Sequence, residues 1–230
     1  MLEQVSELDT GAARVNDFAK AWDYALSHTA DLGTHFLRHL FLVGAALAIS
    51  TLICVPLGIL TSRRRWLSAT AINLFNTLRV LPSLAILFVF ISIPGFGLSV
   101  RSALVALTIL ACPPILINTN TAFRTIDRAI REAAFGMGMA PRQVLWRVEL
   151  PLALPVMIAG IRTALTEVIA SATLAAFIGA GGLGNFIYLG FAQRENSIML
   201  VGAVPVALLA MAAELLMNGL QRRLQPRQVA

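Results

Sequence analysis

The chain has 230 residues, 57% of them hydrophobic and only 13% charged, and its mean hydropathy is +0.77. That balance excludes a soluble globular domain and describes an integral membrane protein. The formal net charge of +6 does not describe a nucleic-acid binder, because the arginines cluster beside apolar runs, as in loops that face the cytoplasm.

Residues 1–35 are polar and acidic, with Glu3, Glu7, Asp9, Asp17, Asp23 and Asp31 against Arg14 and Lys20. They carry no cleavable signal pattern, so the first apolar run is expected to direct insertion and remain as an anchor. Phe18, Trp22, Ala25, Leu26 and Leu32 predict a helix with one apolar side, lying on the membrane or on a neighbouring helix. His28, His35 and His39 would share a face of a continuous helix. No carboxylate or cysteine completes a metal set at ligand spacing, so they are read as interfacial residues and no metal site or cofactor is expected.

Apolar runs long enough for a bilayer follow at about 36–60, 69–93, 102–122, 152–178 and 197–220, given a helical rise of about 1.5 Å per residue. The fold class predicted is all-α: a polytopic membrane protein with about five transmembrane helices. The basic loop Ser62-Arg63-Arg64-Arg65-Trp66 separates the first two runs. Arg79 and Pro82 lie inside the second, and Pro82 is expected to break or bend it. The Pro-Gly-Phe-Gly turn at 94–97 precedes the third run, where the pair Pro113-Pro114 predicts a second kink. Cys54 and Cys112 fall inside spans and read as buried small hydrophobes, not a disulfide. A glycine cluster at 179–184 ends the fourth run, and 185–196 reads as an aromatic-bearing loop. The expected division is an extracytoplasmic or interfacial segment at 1–35, a transmembrane domain at 36–222 and a cytoplasmic tail at 223–230.

Five crossings put the termini on opposite sides, and the basic residues choose which. With the amino terminus outside, eleven arginines fall in inner segments: 63–65, 124, 128, 131, 142, 147, 222, 223 and 227. Only Arg14, Lys20, Arg101 and Arg194 fall outside. That asymmetry predicts a cytoplasmic position for residues 124–149 and for the carboxyl terminus.

The charged, helix-forming stretch from Glu132 to Pro151 organises the rest. Gly136 and Gly138 weaken a helix by up to about 1 kcal/mol each, which predicts a short helix, a glycine turn and a second short helix. Pro151 suits the first turn of the following helix. Within this stretch Glu132-Ala133-Ala134, three residues, Gly138, nine residues, Val148, one residue and Leu150-Pro151 resemble the cytoplasmic coupling loop of ABC importer permeases, with valine in place of isoleucine. Further stretches at 81–87, 147–155, 159–164 and 172–184 resemble one branch in particular, the glycine betaine/carnitine/choline (osmoprotectant) importer permeases. Together they span most of residues 40–222, and residues 1–35 match no pattern.

The resemblance implies a type I ABC importer permease core with a short cytoplasmic coupling helix in the loop 124–149. It also implies separate ATP-binding cassette subunits, an extracytoplasmic substrate-binding protein and a second permease subunit. No Walker motif Gly-x4-Gly-Lys-[Ser/Thr] occurs in the chain, so no ATP site of its own, and no enzymatic activity, is expected. The residues implied to contact the ATPase subunit are Glu132, Ala133, Ala134, Gly138, Met139, Arg142, Leu150 and Pro151. Ala133 and Ala134 are small enough for close helix contact, and Gly138 permits a sharp turn.

Gly179, Gly181 and Gly184 spell Gly-x-Gly-x-x-Gly, but an apolar span precedes them and not a strand, so a dinucleotide site is not expected. With Gly182 they read as a bend or outer gate. Arg79, Arg162 and Glu214 are expected to reach the membrane surface or pair. Glu167 lies deeper, and a mid-bilayer carboxylate must be paired, protonated or facing water, so with Pro82 and the glycines it marks a candidate pathway. The small residues Ala164, Ala170, Ser171, Ala172, Thr173 and Ala175 predict close packing of the fourth span, on a second copy in a dimer if not within the chain. Two rival functions follow from the same residues: the same architecture carrying methionine or another small solute, and an ion-coupled secondary transporter using Glu167.

Overall fold

A computed structural model describes residues 16–224, and among them every regular element is helical. In chain order these are α1 (residues 16–27), α2 (Thr29–Ser62), α3 (Arg65–Arg79), α4 (Ser83–Ser92), α5 (Val100–Arg124), α6 (Arg128–Gly136), α7 (Pro141–Val144), α8 (Leu150–Leu174), α9 (Gly184–Gln193) and α10 (Asn196–Leu224). The acids Glu3, Glu7 and Asp9 and the basic Arg14 and Arg227 lie outside the described residues.

Four helical runs are each long and apolar enough to cross a bilayer: α2, α5, Pro141–Ile178 and α10. The pair α3 and α4 meets that standard only together, bent by 90° between Arg79 and Ser83. Pro82 caps the amino end of α4 in an extended conformation, and its missing N–H removes a helix bond back into α3. The bent pair still travels the full length of its neighbour. At its start Ser68 Oγ donates to Asn120 Oδ1 at 2.6 Å, near the end of α5. At its finish Leu98 Cβ lies 3.9 Å from the point where a Cβ on Gly179 would stand, just before α5 begins. It therefore covers the roughly 30 Å between Asn120 and Val100, and the crossings number five.

The centre of the bundle is α5, with 67% of its most apolar window buried, against 17% for α10. Two glycines let its neighbours approach. A Cβ on Gly58 of α2 would stand 2.7 Å from Thr119 Cβ, and one on Gly160 of α8 would stand 2.7 Å from the Pro114 carbonyl oxygen. Such contacts let backbones come together where lipid supplies no hydrophobic drive. Leu42, Ala46, Leu107, Ile115, Leu116, Val168 and Ile169 fill the space between the three helices. The Pro113-Pro114 pair does not interrupt α5, which continues from Val100 to Arg124 with both prolines buried. Packing from both sides holds the helix together where two N–H groups are missing. Ala164, Ala172 and Ala175 are buried in the core shared with α5, so this part of the fourth span's small-residue stripe packs within the chain, while Ala170 is exposed and Thr173 half-buried.

The second short helix expected after the glycine turn is instead the root of the fourth span. Pro141–Val144 continues through a π turn at Leu145–Glu149 into α8. Leu150 N–H reaches back five residues to the Leu145 carbonyl, and Pro151, with no N–H, follows it. The segment 185–196, expected as a loop, is mostly the helix α9. Gly184 makes this possible: a Cβ there would stand 1.9 Å from the Thr173 carbonyl oxygen, so only glycine lets α9 start against the end of α8. At the amino end, α1 divides its apolar residues. Ala21, Tyr24 and Ala25 pack on Phe186, Ile198 and Val201, whereas Phe18, Trp22 and Leu26 point away and are exposed.

Candidate functional site

At one end of the bundle the basic residues gather around α6. The helix starts at Asp127, whose Oδ1 accepts the Ala129 N–H at 2.9 Å, satisfying one of the orphan donors of the first turn. Arg128 Nε donates to Glu132 Oε1 at 2.6 Å across one exposed turn, a contact contributing about 0.5 kcal/mol or less. The other end closes with two reversed bonds: Met139 N–H to the Ala134 carbonyl at 3.2 Å and Gly138 N–H to the Phe135 carbonyl at 2.9 Å. Gly138 takes a φ of +78° between them. This is a Schellman closure, and it gives the spacing from Ala134 to Gly138 a local physical cause. A Cβ on Gly138 would meet nothing within 4 Å, so the glycine is required for its backbone angle and not for space.

The expected contact residues fall into two groups. Glu132, Ala133 and Arg142 are exposed, whereas Ala134 is buried and Met139 and Leu150 are half-buried. The alanine pair thus splits, one side chain facing out and the other facing the chain's own fold. Ile130 (42% exposed), Phe135 (49%) and Met137 (75%) are exposed as well, with Phe135 about 160° around the helix from Ala133. Ile130, Phe135 and Met137 thus leave large apolar side chains at the surface of a short helix whose first turns are charged. Pro151 is exposed as the second residue of α8.

Beneath α6 lies a group that sequence reasoning did not single out. Glu149, 1% exposed, receives Arg63 Nη2 at 2.7 Å, Arg63 Nη1 at 3.1 Å and Arg131 Nε at 2.7 Å. Arg131 Nη2 also donates to the Phe123 carbonyl near the end of α5. The one signal in the sequence was an acid placed directly before an apolar span in an otherwise basic segment.

At mid-length the picture changes. Glu167 on α8 is half-buried, and its Oε2 is buried with no hydrogen-bond partner among the described residues. Pro82 is exposed. Nearer the basic end, Arg162 and Glu214 pair between α8 and α10, with Arg162 Nε to Glu214 Oε2 at 2.9 Å, in line with the expected pairing.

The opposite end holds the glycines. Gly179, Gly181 and Gly182 take φ values of +73°, +81° and +92° and reverse the chain between the end of the fourth span and α9. The turn rests on α2: Arg38 Nε donates to the Ala180 carbonyl at 3.2 Å, and a Cβ on Gly182 would stand 3.3 Å from His39 Nδ1. Gly184 serves packing, as described above. A cleft of about 500 Å³ opens beside the turn, lined in part by His35, Arg38, Phe41 and Gly181. Glu167 and Gly179 are twelve residues apart, about 18 Å along the helix, so the pathway residues form a line and not one pocket. His39 is buried, His28 stacks on Tyr24 and His35 meets the edge of Phe186. No group of metal-ligating side chains occurs among the described residues. Cys54 and Cys112 are buried and unbonded to each other.

Comparison with known proteins completes the description. Residues 54–229 match the family described as binding-protein-dependent transport system inner membrane component. The choline transport system permease protein OpuBB of Bacillus subtilis is 40% identical over 189 residues, 82% of this chain and 86% of the relative. The carnitine transport permease protein OpuCB of Listeria monocytogenes is 41% identical over 192 residues, 84% of this chain and 87% of the relative. Among solved structures, a chain of the MetNI methionine ABC transporter in an inward-facing conformation superposes with a TM-score of 0.76 at 23% identity. It covers 86% of this chain and 98% of its own, a likeness of fold.

Proposed function

This chain belongs to the family of binding-protein-dependent transport system inner membrane components, and from that premise we propose that it carries an osmoprotectant with a quaternary ammonium head, of the glycine betaine, choline or carnitine kind. The names of the relatives support this substrate class. ATP is hydrolysed on separate cassette subunits, cargo arrives on an extracytoplasmic binding protein, and two permease subunits form the path. The amino terminus lies outside and α6 and the carboxyl terminus lie in the cytoplasm, consistent with the distribution of arginines.

The observation that carries the mechanism is the exposed apolar surface of α6. Ile130, Ala133, Phe135 and Met137 are exposed on a short helix whose end is fixed by Gly138. This surface, with Glu132 and Arg142 at its rim, docks on the ATPase subunit and moves with it. Along the path the cationic head passes Glu167, whose buried oxygen lacks a partner among the described residues. A carboxylate there offsets the cost of moving a positive charge through a low-dielectric region. The glycine turn at 179–184 forms the outer gate, and the break at Pro82 borders the path.

The test is uptake into proteoliposomes containing the permease, its ATPase subunits and the binding protein. Choline, carnitine or glycine betaine should accumulate only with ATP supplied on the cytoplasmic side. Accumulation driven by an ion gradient without ATP would contradict the reading in favour of a secondary transporter. Preference for methionine would keep the architecture and replace the cargo.

A further inference from the structure

We infer that the Glu149 carboxylate is the joint through which movement of α6 reaches the membrane spans. Three parts of the chain meet on it, and a fourth is joined through Arg131. Arg131 brings α6 at 2.7 Å, and Arg63 brings the turn after α2 through two bonds at 2.7 and 3.1 Å. Glu149 itself is the last residue of the π turn at the root of α8. Arg131 also holds the Phe123 carbonyl, which adds the end of α5. A displacement of α6 larger than the Arg131 side chain can absorb must move the ends of α2, α5 and α8 or break these bonds.

Stability alone does not account for the arrangement. A buried ion pair returns little net stability, because stripping water from the charges offsets their attraction, and apolar side chains of equal size do as well or better. What charge adds is a directional connection between α6 and the ends of helices that already pack on one another. Glu149 is almost fully enclosed, while the side chains of Arg63 and Arg131 keep 47% and 28% of their exposure. The carboxylate is therefore the fixed pivot, and the arginines are arms that stay in reach of water and can change angle. The π turn supports the same role, since one wide turn in a helix is a frequent feature of moving or functional segments.

This inference rests on the coupling role proposed for α6, and the test separates the two. The complete importer, with its ATPase subunits and binding protein, is reconstituted with wild-type permease, Glu132→Arg or Glu149→Gln, and choline uptake is measured per ATP hydrolysed. Both variants should lower that ratio, Glu149→Gln by roughly two- to thirtyfold, the range for residues that carry coupling between distant sites. A wild-type ratio for Glu149→Gln beside an uncoupled Glu132→Arg overturns the joint and leaves the docking role of α6 intact. A wild-type ratio for Glu132→Arg overturns that docking role and the joint with it. Should Glu149→Gln fail to assemble, Arg131→Gln replaces it, cutting α6 from Glu149 while Arg63 still holds the carboxylate. An unchanged ratio there overturns the joint. A merely structural role would lower the yield and Tm of the complex but leave uptake per ATP unchanged in what assembles.

Discussion

Glu149 and Glu167 stand eighteen residues apart on the helical run Pro141–Ile178, about 27 Å along its axis, in opposite surroundings. Glu149 is 1% exposed and saturated by two arginines. Glu167 is half-buried, with one carboxylate oxygen enclosed and no hydrogen-bond partner for it among the described residues. The same side chain on the same helix is thus a fastening at one level and a polar group in need of a partner at another. The difference teaches that charge ties elements together at the basic end, whereas the middle leaves a carboxylate oxygen without a hydrogen-bond partner among the described residues.

The largest expected effect breaks this comparison if it fails. Glu149→Ala leaves Arg63 and Arg131 without their shared acceptor, and with both arginines still partly in water the loss should be about 1.5–3 kcal/mol. Glu167→Ala, measured as the same shift in Tm of the detergent-solubilised chain, should cost less than about 1 kcal/mol, since its enclosed oxygen makes no hydrogen bond to lose. Equal losses would erase the distinction between the two carboxylates.

The next two effects sharpen it with glycines. Gly184→Ala would drive a Cβ to within 1.9 Å of the Thr173 carbonyl oxygen, and crowding against backbone should cost about 1–3 kcal/mol. Gly138→Ala meets no atom within 4 Å but inherits a φ of +78°, which should cost about 1 kcal/mol. Thermal unfolding of the two variants side by side checks the order, and a larger loss at Gly138 would mean that the α6 turn is packed more tightly than its open surroundings indicate. The smallest effect belongs to the surface. Arg128→Ala removes an exposed pair with Glu132 and should change stability by less than about 0.5 kcal/mol, so a loss above 1 kcal/mol would show that this pair is not free in solution.

What could be read in advance follows from the range of the interactions. Gly138 was legible because a Schellman closure is settled by residues 134–139 alone, and the break at Pro82 because a proline's missing donor acts on its own turn. The helix α9 was missed because the glycine that precedes it looked like a loop residue. Its need for no side chain comes from Thr173, on the other side of the chain reversal. The split of Ala133 and Ala134 depends on which face of α6 the fold covers, and identical residues carry no information on that. Glu149 was hardest, because Arg63 is 86 residues away in sequence and its presence in a basic loop was already explained by membrane orientation.

The account stands or falls on α6 being held from the cytoplasm by a separate ATPase subunit, and a single added thiol tests this most directly. Met137→Cys places it at a position that is 75% exposed, while the native Cys54 and Cys112 are buried. A membrane-impermeant maleimide should label this position in inside-out vesicles only, and the ATPase subunit should suppress the labelling when present. Labelling in right-side-out vesicles, or labelling indifferent to the ATPase subunit, would contradict it.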